Sequence, residues 1–383
     1  MTTSHTLPDP RERDTTGAPT NGNFKSIMVE SLFESLNIAL NLDFVNYGQI
    51  FEPAEGVLVL DVGMKTVPGV IDHHHSQAEP ECAASLIAAH PELVLNHIPR
   101  EKLLSPPPYP LQLITHRLPD FDGVASIFLS LKLLEQGCFD KGMKEIAAYT
   151  RLVDSASLPK TIDLCATPYS ILRALFAGRR QLSIEAKNIF RVNEGVKFIN
   201  FLYSRLMEGY DILENRVLFS SIDRYEEALH KAENDYFNYL LDVQEAEKML
   251  FSLPLTTGSG KKSVDGLVTR NPRSFLLKDW ARRDKENPSL GSGFTLLFTN
   301  YTDKRIIIGV DPEMNVTLHG LGDLLNEAEN EKRRQRNRPF PFPWYAGNCP
   351  FFNYRIVDSP QDGTMLSHEE VVAVLRAFSD SPD

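Results

Sequence analysis

Apolar residues recur at two different spacings along this chain, and the change between them divides it into elements. Phe24, Ile27, Met28, Leu32, Phe33, Leu36 and Ile38 follow helical spacing and predict an amphipathic helix over 24–42. Val57 to Leu60 is a continuous apolar run ending at Asp61, and Val70-Ile71 is a second ending at Asp72. Each predicts a buried strand, with a tight connection containing Gly63, Pro68 and Gly69 between them. Residues 81–93 have a helical pattern, Pro106-Pro107-Pro108 interrupts the chain, and Leu111 to Ile114 predicts a third strand with Thr115 and His116 at its tip. Helical spacing returns over 123–136 and over 141–153, the latter bringing Asp154 to a helix end. Strands alternating with helices predict an α/β fold built on a mostly parallel sheet with flanking helices.

Beyond residue 168 the pattern changes. Leu, Glu, Lys, Tyr and Phe recur at helical spacing, with no proline between Tyr169 and Leu253, which predicts a helical connector over 168–253. Pro254 and the stretch from Thr256 to Lys262 then break the chain. Gly293 to Phe298 and Arg305 to Ile308 predict adjacent strands joined at 300–304, within a second, smaller α/β domain over 254–383. Residues 1–23 are aperiodic and rich in Thr, Pro, Asp, Arg and Gly, and predict a disordered arm. Residues 24–167 then form the first domain.

Composition narrows the classes of partner. The chain has 383 residues, 42% apolar and 24% charged, as expected of a globular protein with a substantial core. A net charge of −11 argues against binding duplex nucleic acid, which calls for a clustered basic face. A small anionic substrate in a local basic pocket is compatible with it. Cys82, Cys138, Cys165 and Cys349 are widely separated and form no CxxC pair, so a reducing compartment explains them better than disulfides or structural zinc. No apolar run approaches the ~20 residues needed to span a bilayer, and the N-terminus lacks a signal-like apolar core, so a cytoplasmic protein without a membrane partner is expected.

Candidate chemistry gathers at the predicted strand ends. His73, His74 and His75 follow Asp72, and they are three of ten histidines in the chain. A solvated histidine run is the bland alternative. The segment His116-Arg-Leu-Pro-Asp120-Phe-Asp122 adds an imidazole and two carboxylates between a strand and a helix. Hard divalent cations such as manganese or magnesium take oxygen ligands, and imidazole also suits manganese. Cobalt is a further option. A two-metal centre needs roughly six to eight ligands with a bridging carboxylate, and Asp61, His73, His74, His116, Asp120, Asp122 and Asp154 supply that inventory.

Asp72-His73-His74, with His116-x-x-Pro-Asp120-x-Asp122 and Leu60-Asp61-x-Gly63, resembles the DHH phosphoesterase superfamily over about residues 57–155. That superfamily includes single-strand exonucleases, oligoribonucleases, cyclic dinucleotide phosphodiesterases and manganese-dependent pyrophosphatases. The resemblance implies that His116 and Asp120 bind one ion, that Asp122, His73 and Asp154 bind the other, and that Asp61 bridges both. It implies that His74 faces the substrate phosphate as a hydrogen-bond or proton donor, whereas His75 has no counterpart. The motif order departs from the family, where the His-x-x-Pro-Asp-x-Asp segment comes first. A circular permutation would explain the order, and it leaves the subfamily and the substrate open.

The family keeps a substrate-recognition domain at its C-terminus. Here Arg270, Arg273, Lys278, Arg282 and Arg283 cluster around Pro272 and Trp280, and one or two of them are candidate phosphate ligands. A solvated charged helix face is the alternative. His319-Gly320-Leu-Gly322 and Trp344-Tyr345 are further candidates for contact with a phosphate and for stacking on a base. The substrate-binding set expected is His74, Arg270, Arg273, Arg282 and His319, with His74 and Asp61 catalytic.

The expected activity is hydrolysis of a small nucleotide, a short oligonucleotide or a cyclic or linear dinucleotide, by a water activated by two manganese ions. A pyrophosphatase or polyphosphatase is the alternative enzyme, and it calls for converging basic residues without a stacking aromatic. A non-catalytic nucleotide-binding regulator is the alternative outside enzymes, a chance histidine run on an unrelated α/β protein is the remaining one, and a homodimer is compatible with either fold.

Overall fold

Alternation of buried and exposed positions builds two sheets. The computed structural model describes residues 24–381 apart from 26, 179, 180, 221 and 303, so the predicted arm over 1–23 lies outside the described residues. Strands β1 (Phe24–Lys25), β2 (Ile38–Val45), β3 (Val57–Leu60), β4 (Thr66–Val67), β5 (Val70–Ile71) and β6 (Tyr109–His116) form one sheet in the order β1-β2-β6-β3-β5-β4. Its four inner strands are parallel, and the two short edge strands run antiparallel to their neighbours. Strands β7 (Glu247–Pro254), β8 (Lys261–Arg270), β9 (Leu296–Thr302), β10 (Arg305–Val310) and β11 (Ile356–Asp358) form the second sheet, in which only the β8–β9 pair is parallel. The protein is therefore an α/β fold with two sheet-centred domains.

The helix expected over 24–42 does not form. Helix is confined to one turn, Ile27–Glu30, and residues 38–45 are strand β2. The physical reason lies in the second half of the segment. Leu40, Leu42 and Phe44 alternate toward the main core, and β2 pairs in parallel with β6 from Ile38↔Tyr109 to Val45↔His116. Helical spacing upstream ran by chance into a period of two. The connector likewise ends early, because residues 247–254 are strand β7 rather than helix.

The helices of 168–245 are not a separate spacer. Val192, Val196, Phe198, Ile199 and Leu202 of helix Ile184–Met207 belong to the same core as Phe128, Leu131 and Leu133 of helix Phe121–Gln136. Leu276, Cys349 and Phe351 from the C-terminal half enter that core too. The second sheet has apolar packing on both faces: Phe251, Phe298 and Ile308 face helices Leu321–Gln335 and His368–Asp380, and Leu267 and Leu297 face Tyr239, Val243 and Leu277. Asp235 and Asp242, buried on helix Glu226–Glu245, accept the backbone N–H groups of 273–276 and so fix the start of helix Leu277–Arg283. No helix of the described residues is long and apolar enough to cross a membrane.

Gly195 leaves room for Val124 between two core helices, since a Cβ there would lie 2.7 Å from Val124 Cγ1. Gly195→Val should cost about 1–3 kcal/mol through overpacking. Equilibrium urea unfolding will show a lower midpoint, and an unchanged midpoint would contradict this packing.

Candidate metal centre

The carboxyl ends of β2, β6, β3 and β5 open on one edge of the first sheet, the usual place for a site in a parallel α/β fold. Asp61 follows β3, Asp72 to His75 follow β5, His116 ends β6, and Asp154 ends helix Lys141–Asp154. The backbone is strained beside these groups. Asp61, Leu118 and Ala156 hold φ near 60, 55 and 56°, a left-handed conformation that costs a non-glycine residue free energy. Gly63 completes the turn after Asp61 at φ 122°, where a Cβ would come 2.5 Å from Val70 Cγ1.

Helix N-termini place two of the carboxylates. Asp120 caps helix Phe121–Gln136, its Oδ1 accepting the N–H groups of Asp122 (3.1 Å) and Gly123 (3.2 Å). Asp122 in the first turn of that helix accepts the N–H groups of Ala83 and Ala84, each at 2.8 Å, at the start of helix Ala83–Ala89.

Asp61 lies at the middle of the cluster. Its Oδ2 is 3.2 Å from His116 Nε2, which is 3.8 Å from Asp120 Oδ1. Its Oδ1 is 3.2 Å from His73 Nε2, which is 3.6 Å from Asp154 Oδ2 and 3.9 Å from Asp122 Oδ2. Potential ligand atoms of Asp61–His116–Asp120, of His73–Asp122–Asp154 and of Asp61–His73–His74 lie within 4.8 Å of one another in each group. Two ligand sets thus share Asp61. Asp61 Oδ1, His116 Nε2 and Asp154 Oδ2 are buried without a hydrogen-bond partner, a costly state that a cation would relieve. His116 Nδ1 lies 3.0 Å from the Arg117 carbonyl, which fixes the ring with Nε2 toward the carboxylates.

Protonation follows from crowding. Burial pushes the Asp122 and Asp154 carboxyls well above the usual range, reinforced by the neighbouring carboxylates. Burial also opposes ionisation of Asp61 and Asp120, but the positive charge of the His116 ring beside them holds both below their ordinary values. His116 in turn is pushed up to about 10, Asp120 and Asp61 outweighing burial. Burial and the charge of His74 lower His73. His74 is raised against burial by Asp72, whose Oδ1 lies 2.7 Å from His74 Nδ1. His75 Nε2 lies 3.1 Å from Thr66 Oγ1 and holds the edge strand β4.

The structure brings together Asp61, His73, His74, His116, Asp120, Asp122 and Asp154, and turns other expected residues elsewhere. Arg270 pairs with Glu369, and Arg273 with Asp242 and Glu245. Arg282, 9% exposed, donates to the Val310 carbonyl, while His319 stands edge-on to Tyr354 with ring centroids 4.4 Å apart. Trp344 is unsuited to stack on a base: it is 2% exposed and its indole N–H donates to Glu329. Sequence reasoning missed Tyr47, whose ring stacks on His116 at 4.4 Å, and Phe351, which meets His73 edge-on at 4.9 Å. Tyr47 lies two residues past β2, so recognising that strand is the signal that would have found it.

Asp122, Asp154 and His116 all carry raised values, so the metal-free site holds protons that ligation must displace. Loading Mn²⁺ near neutral pH should release at least the His116 proton, and affinity should climb as pH rises. Calorimetric titration in buffers of different ionisation enthalpy measures both, and pH-independent binding would exclude these ligands.

The sequence matches no known protein-family model, and no curated protein matches it.

Proposed function

We propose that the chain is a metal-dependent hydrolase of phosphate esters or anhydrides with a DHH-like ligand set in rearranged motif order. The observation that carries this reading is Asp61, whose two oxygens face two different imidazoles at 3.2 Å each. A carboxylate with that reach is the bridging group a paired-ion centre requires. His116 and Asp120 would hold one ion, and His73, Asp122 and Asp154 the other. Manganese suits this mixture of carboxylate and imidazole, with magnesium or cobalt as substitutes. Such ions, when bound, supply an acidified water and neutralise charge on a phosphoryl group.

The protein's own groups do the rest. Asp72 is fixed by the Met64 N–H at 2.6 Å and engages His74 through Nδ1, which leaves Nε2 for the substrate. His74 then donates a hydrogen bond to a phosphoryl oxygen as negative charge grows there. Tyr47 and Phe351 press on the His116 and His73 rings and limit their rotation. The chain order of the motifs does not disturb this arrangement, because β6, last of the parallel strands in sequence, lies between β2 and β3.

Asp61→Asn should lower Mn²⁺-dependent turnover at least about a hundredfold and reduce bound metal, read by elemental analysis beside steady-state rates. Unchanged turnover in that variant would remove the bridging role. Stoichiometric Mn²⁺ without hydrolysis of any substrate in a panel of dinucleotides, cyclic dinucleotides, pyrophosphate and polyphosphate would instead point to a binding regulator.

A further inference from the structure

A buried ion pair of the second domain, Glu329 with Arg333, has no part in the metal chemistry, yet it fixes a turn that reaches the metal centre. Both residues lie on helix Leu321–Gln335, are 0% and 3% exposed, and meet through Arg333 Nε at 2.7 Å. The Arg333 guanidinium also donates to both oxygens of Asp362 (2.7 and 3.1 Å), to the Gly363 carbonyl (2.6 Å) and to the Pro339 carbonyl (2.9 Å). Every N–H of the guanidinium is thereby used. Glu329 accepts the Thr364 hydroxyl at 2.5 Å and the Met365 N–H at 2.9 Å. A buried network satisfied to this degree holds one geometry, and the geometry it holds is the turn 360–363, closed by the Gly363 N–H on the Pro360 carbonyl at 2.8 Å.

Gln361 stands at the tip of that turn, and its Nε2 donates to the Tyr47 carbonyl in the loop that leaves β2. A Cβ on Gly48 would lie 3.4 Å from the same nitrogen, so Gln361 rests on the bend at 47–48 as well. The loop is tied to the first sheet at its two ends, by the Arg117 N–H on the Val45 carbonyl (2.8 Å) and by the Phe51 N–H on the Gly63 carbonyl (3.3 Å). Gln361 holds it in between. Tyr47 carries the effect inward: its ring lies within 23° of parallel to the His116 imidazole, with centroids 4.4 Å apart, and meets His74 edge-on at 5.2 Å. The Arg117 carbonyl selects which His116 nitrogen points inward, but one contact at Nδ1 leaves the ring free to tilt about it. The stacked phenol opposes that tilt. Tyr47 is 38% exposed, so solvent is the alternative place for its ring.

We propose that Gln361 is a positioning residue of the metal centre: from the second domain it holds Tyr47 against His116, and so sets the direction in which His116 Nε2 faces Asp61 and Asp120. The proposal rests on the reading of these residues as metal ligands. Groups that only orient a ligating imidazole change metal affinity about 10–100-fold when removed, because the ring nitrogen must point at the ion. Neither Gln361 nor Tyr47 has to touch an ion or a substrate for this. The second sheet supplies none of the proposed ligands, and through one glutamine it governs how firmly the His116 and Asp120 position is built.

The test compares the full chain with three variants: Gln361→Met, which keeps the length of the side chain and loses its donor, Tyr47→Leu, and the two combined. Both positions are exposed, so the fold is spared. In the metal-free protein, NMR reads the ring-current shift that Tyr47 imposes on the His116 ring protons, whose signals are assigned by their loss in His116→Gln. Gln361→Met should move those signals toward their positions in Tyr47→Leu, and signals that stay in place overturn the proposal. In calorimetric titration with Mn²⁺, each single variant should weaken binding about tenfold. The combined variant should lose no more than Tyr47→Leu alone, because one residue acts through the other. Undiminished binding in Gln361→Met, or losses that multiply in the combined variant, also overturn it. If the unaltered chain binds no Mn²⁺, the metal reading fails by itself, and the NMR comparison then decides whether Gln361 holds Tyr47 on His116.

Discussion

Four carboxylates crowded at one edge of the first sheet repel one another, and the surrounding structure is arranged to hold them there. Asp120 and Asp122 are restrained by amides at the starts of two helices, Asp61 lies between two imidazoles, and burial makes Asp154 harder to ionise. Each device offsets part of the repulsion, and none removes it. The left-handed backbone at Asp61, Leu118 and Ala156 adds strain at the same points. Stability has been sacrificed to keep negative charge concentrated, which is the condition a multivalent cation reverses.

The two halves of the chain also meet beside that cluster. Phe351 and Phe352 from the C-terminal half close over His73, Arg173 reaches across to the Phe275 carbonyl, and Lys160 pairs with Asp311 and Glu313. The aromatic rings exclude water from the histidines on one side. The acid cluster belongs to the first sheet, but its surroundings come from both.

The parts of this arrangement that were legible in the sequence are those set by short-range pattern. Val57–Leu60 with Asp61, Val70–Ile71 with Asp72, and Leu111–Ile114 with His116 announce themselves as apolar runs with a polar tip, so the ligands could be read from their positions. Ile38–Val45 was obscured because the apolar spacing upstream is helical, and with that strand Tyr47 was lost. Gln361 stands in an ordinary turn, and only tertiary packing brings it to the Tyr47 carbonyl. Arg270 and Arg273 misled for the complementary reason: local density of arginine says nothing of Glu369, Asp242 and Glu245, which come from distant segments and occupy them.

The position of β6 has a consequence for how the chain acquires its shape. β2 and β3 follow one another in sequence but do not touch, because β6 fills the place between them. Until residues 109–116 arrive, two parallel strands have unpaired edges facing an empty slot, and the sheet cannot zip up from one end. Closing that slot requires pairing across the intervening loops, the kind of non-local step that slows folding. The strand that completes the sheet also carries His116 to its tip, so the event that closes the last gap in the framework also sets the histidine that faces Asp61 Oδ2.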